Sequence, residues 1–364
     1  MRNVFGKNLT VTLFGESHGK GIGAVIDGVS PGVKIDEDYI SRRLDLRRGE
    51  VDISTPRREK DEFEILSGVV NGVATGSPIM LLIKNADTKS GDYAQMSSIA
   101  RPSHADFSAF VKYSGFNDTR GGGHFSGRIT AGLVMAGAIV QKALEEKGIF
   151  IGTHLKSVGE VCDRGFEDFK TDITALNSVV FPVLDEKAGE KMRGEILSAK
   201  NDGDSIGGVL ETAVIGLEAG YGEPWFDSVE GLISHAVFSI GGVKGIEFGG
   251  GFNLSKMRGS DANDALFTEN GEVKTRTNNS GGICGGITNG MPIVFRCAIK
   301  PTPTIFKEQE TVDFKEKTSA VIKPTGRHDP CIAPRIRAVI DAVTALVIAD
   351  LIITREGENA LCTD

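Results

Sequence analysis

Residues 128–147 read RITAGLVMAGAIVQKALEEK, and residues 334–354 read PRIRAVIDAVTALVIADLIIT. Both segments have the length and apolar content of a helix, and the first is bounded by Gly148. Each is apolar around most of its circumference, so we expect each helix to be covered on more than one side. The second segment carries Asp341 and Asp350, which favours a buried helix over a membrane span.

Around these two helices the sequence predicts further helices at Asp36–Leu46, behind an Asp N-cap, and at Asp185–Lys200. Strand patterns cover Leu9–Phe14, Ala24–Ile26, Ile79–Ile83, Ile149–Val158, Val209–Ile215 and Ile293–Ile299. The helices and strands do not alternate in a βαβ rhythm. The sequence therefore predicts an α+β fold with antiparallel sheets, arranged as a sandwich, rather than a doubly wound sheet.

The sequence contains no linker rich in Pro, Ser or charge, so we expect residues 1–364 to form a single domain. Each long apolar helix follows a Gly-Arg pair, at Gly127-Arg128 and at Gly326-Arg327. This weak internal repeat suggests two related halves that meet in the middle of the fold.

The composition excludes several classes of protein. A net charge of −8 argues against a nucleic-acid-binding surface, and 47 glycines in 364 residues indicate many tight turns. The five scattered cysteines form no CxxC pair, which indicates reduced thiols and a cytoplasmic location. We expect no membrane partner, because neither a signal sequence nor an apolar run of membrane-spanning length is found.

The first chemically suggestive motif is FGESHG at residues 14–19, directly after a predicted strand. Its His18 is well placed to project into a cleft, although the same residues also suit a plain turn. The following GKGIGA satisfies a loose G-x-G-x-x-A pattern. We reject a dinucleotide-binding fold, because Gly28 and Pro31 forbid the helix that this motif requires.

Residues 42–60 form a basic segment in an otherwise acidic chain. Guanidinium groups match the geometry of phosphates and carboxylates. A solvated helix face is the preferred interpretation of Arg42 and Arg43. Arg47 and Arg48 lie at the start of a glycine-containing loop, where an anion could be bound.

The strongest anion-binding signal lies in RPSHAD at residues 101–106 and RGGGHFSGR at residues 120–128. Consecutive glycines let backbone N–H groups turn toward an anion, and the following helix adds its positive N-terminal end. The segments therefore predict phosphate or flavin binding. His104 and Asp106 could be metal ligands, but no Cys cluster, HExxH motif or second carboxylate group supports a metal site.

A last pair of motifs is KPTPT at residues 300–304 and GRHDP at residues 326–330. The second places three polar residues between a Gly and a Pro, immediately before the last long helix. A helix-capping turn with Asp329 as the cap is the structural alternative to a functional site.

Together these segments resemble the chorismate synthase family. FGESHG, RPSHAD, GGG followed by S-x-R, GDSIGG, GGICGGI, KPT and GRHDP follow the family's order and intervals, over about residues 5–355. One such segment would be weak evidence for the family, but seven in the same order and at similar intervals are not accidental.

The resemblance implies a lyase of the shikimate pathway, which serves aromatic amino acid biosynthesis. The family eliminates phosphate and one C6 hydrogen from 5-enolpyruvylshikimate 3-phosphate to give chorismate. The reaction is redox-neutral yet needs reduced FMN, and NADPH is a candidate reductant. The implied fold is a helical layer between antiparallel sheets, in two pseudo-related halves, and the implied assembly is a homotetramer in the cytoplasm.

The resemblance also implies roles for individual residues, with no metal among them. His18 would protonate the departing phosphate, His104 would act near the N1–C2 carbonyl edge of the reduced flavin, and Asp329 would lie near flavin N5. The implied substrate-binding residues are Ser17, Arg47, Arg48, Arg101, Arg128 and Arg327. The implied cofactor-binding residues are His124, Phe125, Ser126, Gly241, Gly242, Gly285, Lys300, Pro301, Thr302, Pro303, Thr304 and Arg327 for FMN, with Arg47 at a position assigned to NADP.

The chain also departs from the family pattern. The family usually has R-S-S-A-R-E-T where residues 124–130 read HFSGRIT, and often has Asn-Ala at positions 241 and 242, which are both glycine here. Two alternatives therefore stay open. One is a phosphate-handling lyase or transferase that uses the arginines without flavin, and the other is a flavin- or nucleotide-binding oligomer without activity.

Overall fold

The computed structural model describes residues 3–50, 52–54, 61–85, 98–324 and 328–362. Its helices are α1 Glu37–Arg48, α2 Asp106–Lys112, α3 Thr130–Glu146, α4 Phe169–Leu176, α5 Glu186–Asn201, α6 Val229–Phe238, α7 Gly259–Ala262 and α8 Ala333–Glu356. Its strands are β1 Val4–Phe5, β2 Thr10–Gly15, β3 Gly21–Asp27, β4 Phe63–Ile65, β5 Val69–Val70, β6 Val73–Ala74, β7 Ile79–Lys84, β8 Phe150–Val158, β9 Val161–Cys162, β10 Gly208–Ile215, β11 Val243–Phe248, β12 Leu266–Glu269, β13 Glu272–Thr275, β14 Ile283–Cys284, β15 Ile287–Thr288, β16 Ile293–Ile299, β17 Gln309–Asp313 and β18 Thr318–Ile322.

The strands build two five-stranded sheets and four two-stranded ribbons. The first sheet has the order β1-β2-β3-β7-β4, and the second has the order β11-β16-β10-β8-β9. Neighbouring strands in both sheets are antiparallel. The predicted α+β fold with antiparallel sheets is confirmed.

The long helices lie between the two sheets. Helix α3 packs on the first sheet through β2, β3 and β7, and α8 packs on the second sheet through β8 and β10. The two helices also pack on each other, and α1 contacts both. At their crossing a Cβ on Gly137 would lie 2.4 Å from the Cβ of Ala342, so this approach requires glycine. Both helices are therefore covered on several sides, as their apolar sequences predict.

The helix boundaries follow from local capping. Asp36 caps α1 by accepting a hydrogen bond from the Tyr39 N–H at 2.7 Å, and Asp185 caps α5 by accepting one from the Lys187 N–H at 3.1 Å. Residues 21–27 form strand β3, which agrees with the rejection of a dinucleotide-binding helix at this point. The sequence did not predict the shorter helices α2, α4 and α6.

The prediction that Arg43 lies on a solvated helix face was wrong. Because α1 packs between α3 and α8, its Arg43 is only 3% exposed and forms an ion pair with Asp341 of α8. The same carboxylate accepts a hydrogen bond from the Thr153 hydroxyl at 2.6 Å. Arg42, one position earlier, is exposed as predicted. None of the helices that the structure describes is long and apolar enough to cross a membrane.

Candidate active site

A cavity of about 980 Å³ lies where the C-terminus of α1 meets the N-termini of α3 and α8. Its described lining residues include seven cationic side chains and four carboxylates. These are Arg47, Arg48, Arg101, Arg128, Lys244, Lys300, Arg335, Asp61, Asp106, Asp118 and Asp329. The cavity therefore carries an excess of positive charge within a chain whose net charge is −8.

The three consecutive glycines form one wall of this cavity. Gly121, Gly122 and Gly123 have φ values of 58°, 85° and 54°, a left-handed region that glycine enters without steric cost. The carbonyl of Gly123 accepts a hydrogen bond from the Ser17 N–H at 3.1 Å, so the FGESHG turn packs against the glycine loop. A Cβ on Gly121 would lie 2.1 Å from Cε1 of His18. His18 is buried and lies behind the loop, with its ring against the Gly121 backbone.

His104 lies at the N-terminal end of α2 and faces the cavity. Burial, reinforced by the positive charge of Arg101, lowers the pKa of His104 to about 4. The imidazole is therefore neutral near pH 7. Its Nε2 is 2.6 Å from the hydroxyl oxygen of Thr304, which joins RPSHAD to KPTPT across the cavity wall.

Arg101 and Asp106, the two ends of RPSHAD, bind each other. The Arg101 guanidinium donates to both carboxylate oxygens of Asp106 at 2.8 Å, and the Arg101 N–H donates to Oδ2 at 2.9 Å. Burial by itself raises the pKa of Asp106, but the hydrogen bonds and charge of Arg101 outweigh it and lower this pKa. The motif is thus a closed turn that holds His104 between its ends.

Arg47 and Arg128 are joined by Asp61, whose side chain is 1% exposed. Arg128 forms an ion pair with Oδ1 of Asp61, and Nη1 of Arg47 is 3.5 Å from Oδ2. The other nitrogens of Arg47 donate to the Thr130 hydroxyl and to the carbonyl of Gly127, at 2.9 and 2.8 Å. Burial lowers the pKa of Arg47 to about 10, helped by the nearby Arg335 and Arg128 and opposed by Asp61. Arg47 therefore binds mainly to its own chain and fixes the start of α3.

Asp329 lies just before α8 and forms an ion pair with Arg335 in the first turn of that helix. The distance from Nη1 of Arg335 to Oδ2 of Asp329 is 2.5 Å. Nε of Arg335 also donates to the Arg47 carbonyl at 3.0 Å. Asp329 is thus paired with the first turn of α8, and the same arginine is bound to the end of α1.

The KPTPT segment forms the part of the cavity wall next to RPSHAD. Nζ of Lys300 donates to the Ser103 carbonyl at 2.8 Å, and burial together with the nearby Lys244 lowers the pKa of Lys300. Ser205, from the GDSIGG segment, donates to the Thr302 carbonyl at 2.6 Å. The Thr302 hydroxyl is buried and has no hydrogen-bond partner within the described part of the chain.

Comparison with known proteins identifies the family. The family model for chorismate synthase matches residues 9–353. The chorismate synthase of Korarchaeum cryptofilum is 44% identical over 350 residues, which cover 96% of each chain. That of Pyrococcus abyssi is 45% identical over 351 residues, covering 96% of this chain and 97% of the relative. A solved structure described as a crystal structure of chorismate synthase matches with a TM-score of 0.77 at 30% identity, over 97% of this chain and 94% of that one.

The chain belongs to the chorismate synthase family. The similarity covers nearly its whole length, and so does the set of motifs that the sequence shares with the family. The helical layer between two antiparallel sheets is also the arrangement that the resemblance implied.

Most of the residues that chorismate synthase motifs single out gather around this cavity. Those that line it are Arg47, Arg48, Arg101, His104, His124, Phe125, Ser126, Arg128, Gly241, Gly242, Lys300, Thr302, Pro303, Thr304 and Asp329. Ser17, His18, Pro301 and Gly285 are not among the described lining residues. Gly285 lies in the turn of the β14–β15 hairpin. Arg327 lies outside the described residues, so its role stays a prediction.

The sequence did not point to four charged residues of the site: Asp61, Asp118, Lys244 and Arg335. Two of them make contacts that span long stretches of chain: Asp61 is 67 residues from Arg128, and Arg335 is 288 residues from Arg47. No local spacing could have indicated these pairs. Among the described residues, no group of three or more His, Cys, Asp or Glu side chains could hold a metal ion.

The cavity suits the flavin that chorismate synthases are known to need. Its volume lies at the upper end of the range for small-molecule sites, roughly 300–1,000 Å³, which leaves room for a cofactor beside a substrate. The Thr302 hydroxyl offers a buried polar atom that nothing else in the described chain uses. His124, which replaces the family's arginine, is held by a 2.7 Å hydrogen bond from its Nδ1 to the Gly15 carbonyl. Phe125 remains half-exposed to the cavity.

Proposed function

We propose that this chain converts 5-enolpyruvylshikimate 3-phosphate to chorismate by a 1,4-elimination that depends on reduced FMN. It thereby acts as a carbon–oxygen lyase in aromatic amino acid biosynthesis. The observation that carries this proposal is the convergence of RPSHAD, GGGHFSGR, KPTPT and the HDP segment, separated by up to about 230 residues, around one cationic cavity.

The charge of the cavity suits this substrate, which carries one phosphate and two carboxylates. Nε of Arg48 is buried and has no hydrogen-bond partner among the described residues. An unpaired buried donor is costly, on the order of 1–3 kcal/mol, unless a ligand satisfies it. We assign Arg48 to the anionic groups of the substrate, with Arg128 and Arg101, whose guanidinium groups also hold Asp61 and Asp106, as the further cations around it. Arg47 contributes charge but holds the wall of the cavity.

The chain's own residues have distinct tasks in the proposed reaction. The residues that would hold reduced FMN are Ser126, Lys300, Thr302 and Thr304. The chemistry that it would supply is a transient, fully recovered electron for the substrate. His104 presents a neutral imidazole, because its pKa of about 4 keeps it unprotonated at working pH. Asp329 presents a carboxylate at the cavity wall as a proton acceptor. His18, behind Gly121, supplies the proton that the departing phosphate takes up.

The finer features implied by the family belong to the same proposal. We propose a homotetramer in the cytoplasm, as the family resemblance implies, and the adjacent Trp225 and Phe226, which are 85% and 94% exposed, are candidates for a subunit contact. Light scattering of the purified chain tests the assembly. Oxidation of NADPH by the FMN-loaded enzyme tests whether the protein reduces its own flavin.

An anaerobic assay for chorismate tests the central proposal. It compares reduced FMN, oxidised FMN and no flavin, with dithionite alone as a control. We expect turnover only with reduced FMN and no net consumption of flavin. Equal turnover without flavin would replace the proposal with a flavin-free lyase, and flavin binding without turnover would indicate an inactive flavin-binding relative.

A further inference from the structure

We propose that Arg335 is a positioning residue that orients the Asp329 carboxylate for proton transfer. This inference rests on the proposed function and deepens it. Arg335 belongs to none of the motifs that the sequence shares with chorismate synthases. Its assignment comes from the contacts of its guanidinium group with two different segments of the cavity wall.

The first contact is the ion pair with Asp329. The two residues are six positions apart, with Asp329 in the loop and Arg335 in the first turn of α8, and the distance from Nη1 to Oδ2 is 2.5 Å. Their side chains are 23% and 12% exposed, so solvent screens the pair only partly. The guanidinium therefore holds one carboxylate oxygen of Asp329 in a fixed direction.

The second contact anchors Arg335 itself. Its Nε donates to the carbonyl of Arg47 at 3.0 Å. This carbonyl belongs to the last turn of α1, where carbonyl groups have no partner within the helix. The stem of Arg335 passes next to Gly49, where a Cβ would lie 2.9 Å from its Cγ. The guanidinium is therefore fixed at one edge by α1 while another edge holds Asp329.

These contacts join the proton acceptor to the anion-binding side of the cavity. Arg335 binds the backbone of Arg47, Arg47 binds Asp61, and Asp61 binds Arg128. An arginine suits this position because its planar fork donates in two fixed directions at once. A lysine has a single ammonium group on a flexible stem and would hold one of the two acceptors less rigidly.

The experiment compares the wild-type chain with Arg335→Met, Arg335→Lys, Asp329→Asn and the double variant Arg335→Met/Asp329→Asn. We expect Arg335→Met to lower kcat by about 10²-fold with KM changed less than about threefold, because the acceptor is misplaced but the substrate contacts stay. Arg335→Lys should recover about tenfold of that loss. In the Asp329→Asn background, Arg335→Met should lower kcat by less than about threefold, because mutations of two residues that act as a unit do not have additive effects.

Arg164 provides a matched control away from the cavity. It also binds a carboxylate and a carbonyl, those of Asp172 and Gly165, and its side chain and that of Asp172 are 32% and 8% exposed. Arg164→Met should lower the melting temperature about as much as Arg335→Met and leave kcat unchanged. A titration with oxidised FMN should give the same affinity for both variants as for the wild type.

Each outcome decides a specific point. Equal losses from Arg335→Met with and without Asp329 would show that Arg335 does not act through Asp329. A raised KM with an unchanged kcat would make Arg335 a direct substrate ligand, and a kcat no lower than in Arg164→Met would make it purely structural. All three overturn the inference while leaving an active wild type and the proposed function intact. A wild type that makes no chorismate with reduced FMN overturns both.

Discussion

His104 and His154 are both largely buried histidines, but their neighbours shift their pKa values in opposite directions. His104 faces the cationic cavity, where burial and then Arg101 lower its pKa to about 4. His154 is fully buried in β8, where burial opposes its charged form but hydrogen bonds to Asp163 and Glu211, both 3.0 Å, outweigh burial and raise its pKa. Burial alone therefore does not determine the charge of a histidine. The sign of the surrounding charge does.

The environment of His154 is a row of alternating charges across the second sheet. The row consists of Glu247 on β11, Arg296 on β16, Glu211 on β10 and His154 on β8, which are paired in register on neighbouring strands. Asp163 binds His154 and lies at the end of the row. Arg296 lies 3.0 Å from Glu247 and 4.0 Å from Glu211. None of these residues lines the cavity. This row pairs two cationic side chains with three carboxylates and stabilises the sheet, whereas the cavity keeps an excess of positive charge for a ligand.

The largest expected effect is the loss of turnover when His104, but not His154, is replaced. His104→Ala should lower turnover by about 10²–10⁴-fold, the usual scale for a group that takes part in proton transfer, with the melting temperature nearly unchanged. His18→Ala should fall in the same range. Steady-state rates and thermal melts on the same preparations measure both effects. Early melting with full activity of the folded fraction would make these histidines structural.

Asp329→Asn tests a second residue of the cavity. It should lose on the order of 10²-fold or more in turnover, because an amide cannot accept the proton. FMN affinity should stay near that of the wild type, since the KPTPT contacts are unchanged. A near-normal rate would return Asp329 to a structural role as partner of Arg335.

His154→Leu tests whether the second of the two histidines has a purely structural role. It removes the cation that Asp163 and Glu211 share and leaves Glu211 only the 4.0 Å contact with Arg296, which should cost about 3–5 kcal/mol of unfolding free energy, measured by urea denaturation. The rate per folded molecule should change less than about twofold. Glu211→Gln, which removes one charge of the row, serves as a milder second variant. A strong loss of rate in folded His154→Leu would contradict the structural assignment.

The smallest expected effect is on the pH dependence of stability. The raised pKa of His154 gives stability that is complete below the unfolded value of about 6.5 and is lost as pH rises through the folded value. The lowered pKa of His104 acts in the other direction, so stability is lost as pH falls from about 6.5 toward 4. Urea midpoints from pH 4 to 9 should lose their alkaline slope in His154→Leu and part of their acid slope in His104→Ala. Unchanged slopes in both variants would contradict the two shifts.

The sequence predicted the long elements because their signals are local. The apolar pattern of 128–147 and the Asp36 cap arise from residues within one or two helical turns, and both elements appear within two residues of the expected position. Arg43 was misplaced because its partner Asp341 is 298 residues away. The same reason explains the absence of Asp61 and Arg335 from the expected site. A spacing pattern contains no information about which distant segment will pack against it.

The motifs predicted which residues gather at the cavity better than how each one faces it. Arg47 was expected to bind ligand, yet its guanidinium is occupied by Thr130, Gly127 and Asp61. His18 was expected to project into a cleft; its ring packs against Gly121, and it is not among the described lining residues of the cavity. Backbone conformation decides these orientations, and the φ values of the glycine loop follow from its packing on the FGESHG turn.

The contact between Gly137 and Ala342 has a consequence for the order of events during synthesis. Helix α3 ends at residue 146, and α8, which covers it, begins only at residue 333. At about 5–20 residues per second, a ribosome needs roughly 10–40 s to make the intervening chain. During that time the apolar surface of α3 that α8 later covers has no partner from its own chain, so the nascent N-terminal half exposes a surface on which aggregation can begin.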